Sequence, residues 1–168
     1  LSSAGNVDGD GLDDVLISAP YNDDGGTGAG QTYLILGSSL GGTLSIDLSN
    51  ADYSFVGENQ YDNAGLSVSS AGDVDGDGLD DMLIGAPYND DIAGGAGKTY
   101  LILGASLGAP SSIDLSSADY AFTGEYENEN AGVSVSSAGD VDGDGLDDLL
   151  IGAPENDVNG IRAGKTYL

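Results

Sequence analysis

Short hydrophobic runs separated by polar, glycine-rich stretches recur along the chain. Leu66–Ser70 alternates apolar and small polar residues, which is the pattern of a half-buried strand. Met82–Ala86 is continuously apolar and is followed by proline, which predicts a strand buried on both faces. Lys98–Leu103 and Tyr120–Thr123 complete a set of four predicted strands. Ser112–Ser116, which lies between these last two, is predicted as a short helical turn or a loop.

This pattern repeats with an offset of 67 residues. Val68–Leu101 and Val135–Leu168 are identical at 27 of 34 positions without a gap, and the acidic segment of the repeat occurs three times. Four short antiparallel strands per unit are typical of a β-propeller blade. We therefore predict an all-β fold of four-stranded propeller blades. About two and a half repeats are present, so the propeller is expected to be incomplete.

The repeat boundaries divide the chain into three predicted blades. Residues 1–57 form a first blade that is incomplete at its N-terminal strand, and residues 58–125 form a complete second blade. Residues 126–168 form a third blade that lacks its last strand. We expect the chain to be a slice of a repeat array that something outside this sequence completes.

Composition excludes several function classes. The chain has 29 Asp and Glu against 3 Lys and Arg, a formal net charge of −26, so it lacks the cations that bind nucleic-acid phosphates or anionic lipid. No apolar run approaches the roughly 18 residues of a membrane span. Because Cys and His are absent, disulfides, zinc sites and Ser-His-Asp triads are excluded. The 39% hydrophobic content distinguishes the chain from a disordered acidic tail.

The acidic loop of each unit has the chemistry of a calcium site. In the second copy Asp73, Asp75, Asp77 and Asp81 occupy positions 1, 3, 5 and 9, and glycine at position 6 permits a sharp turn. Calcium takes about six to eight oxygen ligands. A solvated acidic turn is the alternative, since Asp-Gly pairs favour turns anyway, but three copies at one spacing favour calcium. An EF-hand is excluded because position 12, here Ile84, lies inside an apolar strand.

The unit resembles the FG-GAP repeat of integrin alpha-subunit β-propellers and their bacterial relatives. The resemblance rests on Ala64–Gly65, Ser67–Gly72, the Asp73–Asp81 loop and Leu83–Pro87, and it spans essentially the whole chain. It implies about three calcium ions, one in each loop. Alanine replaces the phenylalanine of the family's Phe-Gly pair, and closed family propellers have about seven blades, more than this chain can form.

The resemblance also implies which residues bind calcium. Side chains at positions 1, 3, 5 and 9 and the main-chain carbonyl at position 7 are the implied ligands. They are Asn6, Asp8, Asp10, Leu12, Asp14, Asp73, Asp75, Asp77, Leu79, Asp81, Asp140, Asp142, Asp144, Leu146 and Asp148. Asparagine at the first position keeps an oxygen ligand without its charge, so the first site is expected to be weaker.

The remaining polar and aromatic residues are expected to be structural. The carboxylates at position 8 of the loops, Asp13, Asp80 and Asp147, are predicted to be solvated or hydrogen-bonded turn residues. Those after the Ser-Ala-Pro and Gly-Ala-Pro segments are also predicted to be turn residues, with a second cation site as the less favoured interpretation: Asp23, Asp24, Asp90, Asp91 and Asp157. The acidic cluster Glu125, Glu127 and Glu129 is predicted to be a solvated face. We expect tyrosines 21 and 88 to pack between blades and lysines 98 and 165 to form structural salt bridges to a neighbouring acidic loop.

These features favour a calcium-binding extracellular adhesion or scaffold module in which calcium is structural and no reaction is catalysed. Its partner would be a protein or glycan ligand at a cell surface, and its location secreted or cell-surface. Two alternatives stay open. One is a self-assembling structural protein that forms a ring or filament by strand completion between copies. The other is an accessory domain of a secreted polysaccharide-active enzyme.

Overall fold

The computed structural model describes residues 1–42 and 45–168, and these residues form twelve β-strands. Short 3₁₀ turns occur at Gly37–Leu40, Leu48–Asn50, Gly104–Ser106 and Leu115–Ser117, and the described residues contain no α-helix. The strands are β1 (Ser2–Gly5), β2 (Asp14–Ala19), β3 (Gln31–Ile35), β4 (Tyr53–Val56), β5 (Ser67–Gly72), β6 (Asp81–Ala86), β7 (Lys98–Ile102), β8 (Ser112–Asp114), β9 (Tyr120–Thr123), β10 (Ser134–Gly139), β11 (Asp148–Ala153) and β12 (Lys165–Tyr167).

The strands form three sheets that follow one another along the chain. The order is β1-β2-β3-β4 with β8 added at the edge, then β5-β6-β7-β9, then β10-β11-β12. Equivalent strands pair in the same register, since Val68 lies opposite Ile84 and Val135 lies opposite Ile151. Except for β4 and β8, neighbouring strands are antiparallel. The predicted all-β blade architecture is confirmed, and the propeller in this chain is incomplete.

The hydrophobic core lies between neighbouring sheets. Every residue of β6 is buried, as its continuous apolar run predicts for the central sheet. Phe55 of the first sheet belongs to one cluster with Ile84 and Tyr100 of the second. A smaller cluster joins Leu83 of the second sheet to partly buried Val135 of the third. Because β5 packs against both β1 and β10, the first strands of the three sheets are neighbours, and the loops that follow them lie at one end of the fold.

The segment Ser112–Ser116 is a strand at its start and a helical turn at its end. Residues Ser112–Asp114 form β8, and the predicted short turn begins only at Leu115. β8 pairs in parallel with β4, placing Ile113 opposite Phe55. The first sheet thus gains a fifth strand from the polypeptide of the following blade. The segment carries little strand signal of its own, because its hydrogen bonds come from a partner distant in sequence.

Candidate metal centre

Each acidic segment is the hairpin loop between the first two strands of a sheet. In the second loop the Asp73 carboxylate accepts main-chain N–H groups from Gly76 at 2.7 Å, Asp77 at 3.1 Å and Gly78 at 3.0 Å. These bonds curl the loop around the first acidic side chain. Asp140 accepts the three equivalent N–H groups in the third loop, at 2.7, 3.1 and 3.0 Å.

The curled loop gathers three carboxylates in each of two repeats. Asp73, Asp75 and Asp81 each offer an oxygen within 4.8 Å of the others. The third loop gathers a second group at the same three positions, Asp140, Asp142 and Asp148. Three anionic oxygens this close match the donors that calcium prefers and repel one another without a cation. The residues therefore fit a hard divalent ion.

The other predicted ligands stand outside these groups. Asp77 accepts the N–H of Leu79 at 2.8 Å, and Asp144 makes the same bond to Leu146 at 2.9 Å. In the first loop the Asn6 side chain accepts the Gly11 N–H, at 3.2 Å. Within the described residues the acids of that loop, Asp8, Asp10 and Asp14, do not form a comparable group. Leu12 is half exposed at the loop surface.

In the first two loops the last acidic residue links the loop to the chain that follows the third strand of the same sheet. Asp81 is fully buried and accepts the Val74 N–H and the Gly104 N–H, both at 2.9 Å. Burial raises the pKa of Asp81 and these two N–H groups lower it, while Asp75 and Asp77 raise it further, so that the net pKa lies above its ordinary value. Burial raises the pKa of Asp14 in the same way.

The position-8 carboxylates join neighbouring loops. Asp80 accepts the N–H of Asn6 at 2.7 Å, and Asp147 accepts that of Asp73 at 3.2 Å. The first residue of one loop is thereby held by the next loop along the chain. This contact requires Gly72, because a Cβ there would overlap the Asp147 carboxylate. The prediction that these acids are hydrogen-bonded turn residues did not foresee that their partner is another loop.

All three cations lie away from the acidic loops. Lys98 pairs with Glu58 and Asp91, each at 2.7 Å, and Lys165 pairs with Glu125 at 2.8 Å. Arg162 contacts Glu155 at 3.1 Å. Both lysines form salt bridges, but the predicted partner, a neighbouring acidic loop, is wrong, because each lysine begins its strand at the end of the sheet opposite those loops. No Lys or Arg forms an ion pair with a loop carboxylate in the described part of the chain.

Two predictions about side chains outside the loops are wrong. Glu129 is not part of a solvated face but is fully buried, where it accepts hydrogen bonds from Asn156 and from Tyr167. The tyrosines after the Gly-Ala-Pro segments do not pack between blades. Both lie in the turn that begins at the preceding proline, where Tyr21 is 73% exposed and Tyr88 is 48% exposed.

An equivalent buried carboxylate occurs one repeat earlier. Asp62 is buried and accepts the Asn89 side-chain amide at 2.6 Å, and both partners lie 67 residues before Glu129 and Asn156. The sequence signal was available, because an acid and an asparagine recur together at that offset.

Comparison with known proteins identifies the repeat. The family model described as FG-GAP repeat matches residues 2–35, 64–102 and 131–168, which is more than half of the chain. The chain belongs to the FG-GAP repeat family. Each match begins near the first strand of a sheet and includes its acidic loop.

Curated relatives of this FG-GAP chain are integrin alpha subunits. It is 34% identical over 160 residues to integrin alpha-PS2 of Drosophila melanogaster, covering 90% of this chain and 11% of that protein. It is 30% identical over 176 residues to integrin alpha-5 of Xenopus laevis, covering 99% of this chain and 15% of that protein. The chain thus spans only about a tenth to a seventh of these relatives. Among the described residues, no helix has the length and apolar character that a membrane crossing requires.

Proposed function

We propose that this FG-GAP chain is part of an extracellular or cell-surface adhesion or scaffold module whose acidic loops hold structural calcium. The observation that carries the proposal is the recurrence of one carboxylate group, Asp73, Asp75 and Asp81, at the same place in the next repeat. The cations of the chain are engaged elsewhere, so an ion from solution is the available countercharge. Integrin alpha relatives support the adhesion role.

Calcium bound here would act on stability and shape. It would neutralise the clustered carboxylates of each loop and hold the first two strands of each blade together. The proposed ligands of the second site are completed by Asp77 and the carbonyl of Leu79. About three ions are proposed, with the Asn6 loop the weakest because it carries one charge less. A rigid repeat surface would then present a protein or glycan ligand site, without catalysis.

Calcium titration and melting test the proposal. If three sites are each filled at about 100 times their dissociation constant, binding adds about 8 kcal/mol, so a chelator should lower the melting temperature by about 15 to 30 °C. Asp75→Ala, which removes ligand oxygens as well as charge, should reduce the calorimetric stoichiometry from near three to near two. The matched control is Asp90→Ala, which removes an exposed carboxylate outside the loops and should leave the stoichiometry unchanged. A melting curve that is identical in calcium and in chelator would refute structural calcium.

The adhesion role has its own test. Calcium-loaded protein on beads should retain cells or immobilised glycans, and the Asp90→Ala protein should retain them equally well. Failure to retain any cell type or glycan, with calcium binding intact, would leave a metal-stabilised scaffold without an adhesive surface and would refute this part of the proposal.

A further inference from the structure

Neighbouring acidic loops are joined by the same pair of hydrogen bonds at two places. Between the second and third loops, the Asp147 carboxylate accepts the N–H of Asp73 at 3.2 Å, and the Asp147 N–H donates to the Asp73 carbonyl at 3.0 Å. Between the first and second loops, Asp80 makes the equivalent bonds to Asn6, at 2.7 and 3.2 Å. Position 8 of one loop therefore holds both main-chain polar groups of position 1 in the loop before it.

A leucine side chain adds an apolar contact to each of these junctions. A Cβ placed at Gly76 of the second loop would lie 3.0 Å from a methyl carbon of Leu146, and one placed at Gly9 of the first loop would lie 2.9 Å from a methyl carbon of Leu79. Glycine at position 4 thus allows the leucine at position 7 of the next loop to pack closely against it. Because Gly76 also donates its N–H to Asp73 at 2.7 Å, both contacts act on the same part of the second loop.

The residue at position 8 stands between two proposed calcium ligands of its own loop. Asp147 is flanked by Leu146, whose carbonyl is a proposed ligand, and by Asp148, which belongs to the carboxylate group of the third loop. Its partner Asp73 belongs to the carboxylate group of the second loop. A restraint on the ligands of the third loop therefore reaches a ligand of the second loop through a single residue.

Such a restraint favours calcium binding in the second loop. Ordering of flexible ligands opposes binding, so ligands that are already held in place bind an ion more tightly. When Leu146 and Asp148 are fixed around an ion, Asp147 is fixed between them, and its two bonds fix the main chain of Asp73. Direct repulsion between the two ions acts in the opposite direction, but both loops are largely exposed, where salt screens charges.

We propose that neighbouring loops bind calcium cooperatively, with Asp80 and Asp147 as the positioning residues that couple them; this rests on the proposed calcium binding of the loops. Filling the third loop preorganises Asp73 and tightens binding in the second loop. Filling the second loop preorganises Asn6 for the first in the same way. Because coupling between two binding sites is reciprocal, the second loop tightens binding in the third by the same factor.

Calcium titration followed by NMR tests the coupling one loop at a time. The amide signals of Gly78 and Gly145, at position 6 of the second and third loops, report the two sites separately. Asp142→Ala disables the third site, and the calcium affinity of the second loop should then fall about fivefold or more. Asp75→Ala should weaken binding in the third loop by a similar factor. An affinity of the second loop that is unchanged or higher in the Asp142→Ala protein would overturn the proposal.

Two substitutions at Asp147 separate its hydrogen bond from its charge. Asp147→Asn and Asp147→Ala both remove the charge, but only asparagine keeps an oxygen that accepts the Asp73 N–H. Adding Asp142→Ala should still weaken the second loop about fivefold in the asparagine protein, and clearly less in the alanine protein, where only the main-chain bond remains. The matched control is Asp13→Ala, which removes an exposed carboxylate at position 8 of the first loop and should leave this coupling intact.

The possible results distinguish cooperativity from calcium binding itself. Equal coupling in the two Asp147 proteins would overturn the role of that side chain. Calcium that binds every loop with an affinity independent of its neighbours would overturn the cooperativity and leave structural calcium standing. Absence of calcium binding at all three loops would refute both. The Asp142→Ala comparison alone keeps the test valid if the Asp147→Ala protein does not fold.

Discussion

The ion pair of Lys98 should contribute much more to stability than that of Lys165, although the two lysines occupy equivalent positions. The Lys98 side chain is 11% exposed and holds Glu58 and Asp91, which are 23% and 34% exposed, both at 2.7 Å. Tyr100 donates its hydroxyl to the same Glu58 oxygen at 2.9 Å. Lys165, at 34% exposed, holds one carboxylate that is 46% exposed.

These geometries set the expected magnitude for Lys98→Met. Exposed ion pairs contribute about 0 to 1 kcal/mol, and removal of one partner from a fully buried pair costs about 3 to 5 kcal/mol. Lys98 lies between these limits, with two partners that would be left facing each other. We therefore expect Lys98→Met to lower the free energy of unfolding by about 2 to 3 kcal/mol. Lys165→Met should cause a clearly smaller loss.

The assay is urea unfolding at fixed calcium concentration, followed across pH. Burial lowers the pKa of Lys98, but its hydrogen bonds to Asp91 and Glu58 raise it more, so this stabilisation is present below the ordinary pKa of 10.5 and is lost as pH rises through the folded value. The hydrogen bond from Lys98 lowers the pKa of Asp91, so that contribution is lost as pH falls below 3.8. The difference between wild type and Lys98→Met should be largest between these limits. Equal losses in the two methionine variants would refute the reasoning.

Three further predictions use positions that the repeat duplicates or that burial distinguishes. Gly72→Ala should lower the melting temperature more than Gly139→Ala. Both glycines have φ near +70°, but only a Cβ at Gly72 would overlap the carboxylate of the next loop. Equal losses in melting temperature would contradict the loop contact. Phe55→Ala should cost about 3 to 5 kcal/mol and Phe122→Ala well under half of that in urea unfolding, because only the former ring is fully buried. Burial raises the pKa of Asp62, so folding favours the protonated carboxyl group. The contribution of Asp62 to the free energy of unfolding therefore falls as pH rises from 3.8 through the pKa of the folded state. The Asp62→Asn variant should therefore be more stable than wild type at pH 7 and equal to it near pH 3.

The strand pattern was predictable because it is local. Alternation in Leu66–Ser70, the apolar run Met82–Ala86 and the turn glycines after each strand are visible within a few residues, and each strand lies within about two residues of its predicted limits. The 67-residue offset then extended these predictions to the other repeats. The strand Ser112–Asp114 was not predicted in this way. Its pairing partner lies in another blade, and a strand of three residues with polar neighbours is too short to show an alternation of apolar and polar positions.

For the candidate metal centre, the sequence predicted which acids lie together better than it predicted their individual hydrogen bonds. Spacing alone placed Asp73, Asp75 and Asp81 together, and the structure groups them. Spacing did not show that Asp77 lies outside this group, where its carboxylate accepts the N–H of Leu79. Contacts between loops, such as that of Asp80, depend on how blades stack, and no pattern within one repeat contains that information.

The charge of −26 is divided unequally between the two ends of the strands, and the three Lys and Arg residues lie at the less acidic end. Glu58, Asp91 and Lys98 lie at the end of the sheets opposite the acidic loops, because an antiparallel hairpin places successive connections at alternate ends. That end is held by internal ion pairs and by the buried Asp62–Asn89 contact. The loop end has no internal cation in the described structure, and its loops interlock through Asp80 and its counterpart. Neutralising the third loop should therefore also stabilise the second, since Asp73, which begins the second loop's carboxylate group, is held by Asp147 of the third loop.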